Sequence, residues 1–101
     1  MQVKLHDHFL GEVASGTHGK LPFPLEVAIG FRKRLVQINQ AESTQDLRNL
    51  KSLHFEKLKG KRYEGKYSIR INQSYRMIFR IDKQAGIEII GIEEISNHYS
   101  T

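Results

Sequence analysis

The sequence predicts an α+β fold, helices first and sheet second, from three observations. In the first half, apolar residues recur at helical spacing: Val27, Phe31, Leu35 and Ile38 stand four, four and three apart. From Lys66 the period changes to two, the alternation of side chains on a strand. The run from Ile87 to Glu94 then carries isoleucine at 87, 89, 90 and 92, the β-branched composition of a strand. Together they describe N-terminal helices packed on one face of a small, twisted antiparallel sheet, with a short N-terminal edge strand as an option.

The elements follow in order. Residues 2–5 (QVKL) suit a short first strand. His6 to Val13 suits a helix with Phe9, Leu10 and Val13 on one side. Ser15 to Lys20 has turn composition. Pro22 and Pro24 exclude a helix interior and suit the approach to a helix start. A long helix then begins at Leu25. Gly30 weakens it by about 1 kcal/mol relative to alanine, so close packing is expected there. Arg32, Lys33 and Arg34 include its wet face, a run that is also able to touch RNA. Ser43 with Asp46 resembles a capping pair in front of a short helix through Leu47 and Leu50.

In the sheet, Tyr67, Ile69 and Ile71 share one face, and Lys66, Ser68, Arg70 and Asn72 the other. Tyr75, Met77, Phe79 and Ile81 likewise oppose Arg76, Ile78 and Arg80. The apolar faces agree only if the loop between these strands has an odd number of residues, because a one-residue slip turns every side chain over. With Asn72, Gln73 and Ser74 as the loop, Ile69 pairs Met77 and Tyr67 pairs Phe79. The same register sets Arg70 against Arg76, unless a bulge intervenes. Like charges directly opposite each other destabilise a sheet. A phosphate or an acidic chain between them reverses that sign, since arginine binds such anions through charge-assisted hydrogen bonds. The apolar face needs the helices for cover, and the cationic face is expected to stay open. Gln84-Ala85-Gly86 makes the turn into the last strand.

At 101 residues the chain reads as one domain spanning 1–101, able to bury a core without staples. The absence of cysteine excludes a disulfide scaffold and a thiolate metal site, and suits a reducing compartment. No apolar run has the length of a membrane span and no signal-peptide pattern opens the chain, so the cytoplasm is the expected location. The net charge of +5 is uneven: from Lys57 to Arg80 eight basic residues face one acid, Glu64, a net of +7 over 24 residues. A block of that kind suits a polyanion, nucleic acid first, or simply a solvated surface. His6-Asp7-His8 offers two imidazoles without a third ligand cluster, a weak zinc signal, and no metal or other cofactor is expected.

The segment HFEKLKGKRYEGKYSIRINQSYRMIFRI resembles the signature of the RelE/ParE superfamily of bacterial toxins, in particular its HigB branch. Those proteins show Leu-Lys-Gly, a short loop, a Tyr-Ser-Ile-Arg-Ile-Asn strand, then Tyr or Trp, Arg, Ile or Leu, any residue and Phe. SGTHGKLP, RKRLVQINQAES and TQDLRNL fit the same branch, so the resemblance covers essentially the whole chain. It implies a ribosome-dependent endoribonuclease that cuts messenger RNA without a metal, held by a cognate HigA-like helix-turn-helix antitoxin. Operator DNA would be met indirectly, through that antitoxin. The reaction is attack of a ribose 2′-hydroxyl on the adjacent phosphate, which needs a base, a cation and an acid.

Carried over by position, the resemblance gives Arg76 the scissile phosphate and Arg70 a further phosphate contact. Glu56 stands where YoeB-like members have the glutamate of Glu-Pro-Leu-Lys, here Glu56-Lys57-Leu58-Lys59, and would be the general base. Lys59 matches the lysine of Leu-Lys-Gly and would stabilise the transition state. His98 would be the general acid and Tyr99 would stack on a base or orient the substrate. Lys57, Lys61, Arg62, Lys66 and Arg80 complete the expected RNA-binding set. His54 is a second candidate for acid or base, and Tyr63 is read as either core or RNA-stacking. The branch's Asp-Tyr-His stands here as Ser96-Asn97-His98, so the histidine lacks its acidic partner, for which Glu93 and Glu94 are the candidates to substitute. Two other readings stay open: a ParE-like inhibitor of DNA gyrase, and a catalytically silent member that only binds its antitoxin.

Overall fold

The computed structural model describes residues 1–97. The order is β1 (Gln2–Leu5), α1 (His8–Ser15), α2 (Leu25–Gln40), α3 (Thr44–Asn49), β2 (Glu56–Lys57), β3 (Tyr67–Arg70), β4 (Tyr75–Gln84) and β5 (Ile87–Asn97). Single 3₁₀ turns lie at Lys51–Leu53 and Lys61–Tyr63. The sheet has five strands in the order β1-β5-β4-β3-β2. β1 runs parallel to β5, and the other neighbours are antiparallel. The edge strand is therefore real, while β2, of two residues, is too short to leave a periodicity in the sequence.

Helix α1 starts two residues later than expected, at His8. His6 still belongs to the β1 ladder, donating its N–H to Ile92 O at 2.8 Å. Asp7 is then the N-cap, its carboxylate accepting from Leu10 N at 2.9 Å, the role for which aspartate is favoured. At α3 the expected cap is absent: the Ser43 side chain makes no capping bond, and Asp46 accepts from Glu42 N instead. Glu88 of β5 supplies the cap from outside, accepting from Thr44 N at 2.8 Å and from the Thr44 hydroxyl at 3.0 Å. Leu50 ends that helix as its C-cap rather than lying within it.

The core lies between the helices and one face of the sheet. Leu10, Val13, Val27, Phe31, Ile38 and Leu47 from the helices meet Ile69, Met77, Phe79, Ile90 and Ile92 from the strands. Each such side chain, fully buried, contributes about 1.5–3 kcal/mol. Phe55, Tyr67 and Phe79 form an aromatic group at one end, with ring centroids 5.7–6.1 Å apart. Gly30 sits where helix and sheet touch: a Cβ there would come 2.8 Å from Ile71 Cγ2.

The Arg32–Arg34 run is not simply a wet face. Arg32 donates from Nε to Val13 O at 2.7 Å, covering a carbonyl at the end of α1, and its Nη2 meets His18 Nε2 at 2.9 Å. Arg34 donates to Arg70 O at 2.8 Å and to Ile71 O at 3.3 Å, fastening α2 to the end of β3. Lys33 alone of the three is exposed.

Candidate active site

The β3–β4 register is the one that parity required: Tyr67 opposite Phe79, Ile69 opposite Met77, and Arg70 opposite Arg76. Asn72 shapes the loop, its Oδ1 accepting from Ser74 N at 2.9 Å and Tyr75 N at 2.8 Å. The two arginines therefore stand side by side on the face away from the helices. The Nε of each is buried and makes no hydrogen bond. Leaving such a donor unmet costs about 1–3 kcal/mol, more for a charged group. This pair is the one place among the described residues where two guanidinium groups share that deficit.

This face is less open than expected. Arg76 is only 6% exposed. The segment after β2 folds back, with Leu58 N donating to Lys66 O at 3.0 Å, and carries the Lys61–Tyr63 turn. The Tyr63 ring comes within 5.9 Å of the Arg76 guanidinium carbon and 5.5 Å of that of Arg62. An aromatic face is attractive to a cation at that range. Tyr63 thus belongs to this face and not to the core, an alternative that its sequence position left unresolved.

The remaining basic residues divide. Lys66 and Arg80 lie on the arginine face but are engaged by Glu93, at 2.9 Å and 3.0 Å. Glu93 is there because β5 bulges: Ile78 pairs with Glu94 and Phe79 with Ile92, leaving Glu93 as the extra residue. Burial acts to raise the Glu93 pKa, but hydrogen bonding and charge from Lys66 and Arg80 outweigh it and hold the carboxyl below its ordinary value. Lys61 and Arg62 are exposed on the 3₁₀ turn, and Lys59 is exposed just before it. Lys57 pairs with Tyr67, so strand parity turns it toward the helix side and away from Arg76. It lines an open cleft of about 700 Å³ at the β2 edge that neither Arg70 nor Arg76 reaches.

Glu56 pairs with Ser68, which pairs with Ile78. It therefore shares the arginine face, one pleat from the Arg70–Arg76 row, and is exposed. His54 is exposed at the turn before β2, in a left-handed conformation with φ 50°. His98 and Tyr99 lie outside the described residues. β5 carries the chain to that row, with Ser96 opposite Arg76 and Asn97 opposite Tyr75. Among the described residues no group of three His, Asp or Glu is placed to hold a metal, and no helix is long and apolar enough to cross a membrane. Glu93 entered the sequence reading only as a stand-in for a missing aspartate; a bulge leaves no mark in an alternation count.

Helices on one face of a mostly antiparallel five-stranded sheet agree with the family match below, which makes the chain a toxin of the RelE/ParE superfamily. More narrowly, the chain belongs to the HigB-like toxins: the family described as RelE-like toxin of type II toxin-antitoxin system HigB matches residues 7–90. Among solved structures it is similar to a YoeB/ParE toxin from Agrobacterium tumefaciens, at a TM-score of 0.58 and 14% identity, covering 98% of this chain and 100% of that one. At that identity the likeness speaks for the fold. No curated protein matches by sequence. As a type II toxin, the chain has an antitoxin for a partner.

Proposed function

We propose that this toxin is a ribosome-dependent messenger RNA endonuclease working by metal-independent transesterification. The observation that carries the reading is the Arg70–Arg76 pair, opposed in register with both Nε atoms buried and unpartnered. A bridging phosphate, accepting from each guanidinium, satisfies both. In the reaction, Glu56 takes the proton from the ribose 2′-hydroxyl. The freed oxygen attacks the neighbouring phosphorus, and the bond to the 5′-oxygen breaks. His98 gives that leaving oxygen its proton, so the products are a 2′,3′-cyclic phosphate and a 5′-hydroxyl. Arg76, with Lys59, stabilises the charge that gathers on the phosphorane, the step at which preorganised cations are most effective. Tyr99 stacks on a base of the substrate, and Lys61 and Arg62 attract the strand. HigA-like antitoxin, ribosome and messenger RNA are the partners, and the cytoplasm is the place of action.

The burial of Arg76 fits this role if the Lys61–Tyr63 turn yields to the substrate, since Tyr63 holds the guanidinium by a contact worth about 0.5–2 kcal/mol. The test is induction of the chain without its antitoxin, followed by primer extension on cellular RNA. Cuts at codon-linked positions in translated messages support the reading. Trapped DNA breaks with intact RNA indicate gyrase inhibition instead, and an absence of any growth effect indicates a silent member.

A further inference from the structure

The arginine face continues beyond the Arg70–Arg76 row. In β1, Val3 and Leu5 pack against the core while Lys4 is exposed. Lys4 pairs with Gly91, and Gly91 pairs with Arg80. Strand parity puts all three on the side of Arg76, two pleats away, about 13 Å along β4 at the usual rise per residue. Gly91 contributes no side chain, and the row is hollow there. A cavity of about 340 Å³ opens between Lys4, His6, Arg80 and Glu93. A Cβ on Gly91 would meet nothing closer than Arg80 O at 4.0 Å, so the fold does not require glycine at this place.

The charge in this hollow is positive. Lys4, Arg80 and the adjoining Lys66 stand against the single carboxylate of Glu93, which already accepts from Arg80 at 3.0 Å and pairs with Lys66 at 2.9 Å. Lys4 makes no ion pair among the described residues. Glu93 therefore holds the Arg80 guanidinium in place and leaves the ammonium of Lys4 and the imidazole of His6 for a ligand.

We infer that the Gly91 hollow, lined by Lys4, His6 and Arg80, binds a second phosphate of the same RNA strand, beyond the one adjacent to the cut. This rests on the nuclease reading above and adds to it a subsite that sets the path along which the strand crosses the sheet. The separation of the two rows exceeds the reach of a single nucleotide step, so the site acts only on substrates longer than the scissile pair.

The test is binding of a 2′-O-methyl oligoribonucleotide, which cannot be cut, to the full chain across a range of salt concentrations. A trinucleotide is compared with an oligomer of about ten residues. Lys4→Ala is expected to lower the salt slope on the longer RNA by about 0.7, the value of one phosphate contact to a single strand, and to leave the trinucleotide unaffected. Gly91→Val is expected to weaken the longer RNA alone, by filling the hollow with no change of charge, and thermal melting of both variants checks that they fold. An unchanged slope for Lys4→Ala overturns the site, as does an equal loss on both RNAs. If instead Lys4→Ala weakens only the purified antitoxin complex, the hollow is a protein contact and the proposal falls. A Lys4-dependent slope with Arg70→Ala binding both RNAs as tightly as the native chain keeps the hollow and removes the nuclease reading.

Discussion

Arg70 and Arg76 face each other across the β3–β4 ladder, and neither Nε finds a partner. A sheet gains nothing from that arrangement; an opposed like-charge pair costs a few tenths to about 1 kcal/mol. Arg76→Ala should therefore abolish the growth arrest while leaving the melting temperature nearly unchanged, relief of repulsion offsetting the lost packing of the alkyl stem. Full toxicity in that variant, measured by colony counts after induction, would remove the proposed mechanism.

Gly30 packs against Ile71 more tightly than any side chain allows. Gly30→Ala gains about 1 kcal/mol of helix propensity but drives a Cβ to 2.8 Å from Ile71 Cγ2 and 3.4 Å from the Ile71 carbonyl oxygen. Overpacking of this kind costs about 1–3 kcal/mol. A net loss of stability in urea unfolding is expected, and a gain would show that α2 moves away from β3 freely.

Glu88 should carry a measurable part of the fold from a distance of 44 residues in sequence. Its pKa lies below the ordinary carboxylate value, chiefly through the Thr44 backbone N–H, with burial opposing, and with the Thr44 hydroxyl, Lys83 and Arg48 assisting. A depressed pKa means stability that is present above the unfolded value and is lost as pH falls through the folded one. Glu88→Ala should then cost about 1 kcal/mol at neutral pH, the usual worth of a helix cap. The difference from the native chain should shrink in acid; a gap that stays constant with pH would mean that the carboxylate charge contributes nothing.

Glu93 has the same sign of shift, but its partner Arg80 is half exposed, at 51%. Solvent screening limits such a pair to about 0–1 kcal/mol. Glu93→Gln should accordingly change stability little, while freeing Lys66 and Arg80 and steepening the salt dependence of RNA binding. An unaltered slope would show that those two cations never meet the strand.

Ala85 occupies the turn between β4 and β5 at φ 51°, beside Gly86 at φ 80°. Both positions of this tight hairpin turn are left-handed, which favours glycine or asparagine. Ala85→Gly should raise stability by about 1 kcal/mol, since the left-handed region costs an ordinary residue roughly 1–2. A lower melting temperature would place the strain elsewhere.

The sequence determined this protein wherever one local rule decides. A period of 3.6 from Val27 to Ile38 marks α2, a period of two marks β3 and β4, and parity alone sets Arg70 against Arg76. It also carried the family, through the run from His54 to Ile81. Tertiary structure decided what depends on residues far apart in the chain. The cap on Thr44 comes from Glu88, and the neutralising carboxylate from a bulge at Glu93. Lys57 turns away because β2 exists only as a partner of β3. Arg32 and Arg34, read as a solvated run, are tied to Val13, Arg70 and Ile71. The cover over Arg76 belongs to the same class, since Tyr63 reaches it only when the segment after β2 folds back. Periodicity records which side of an element a residue takes; it holds no information about which distant segment arrives to meet it.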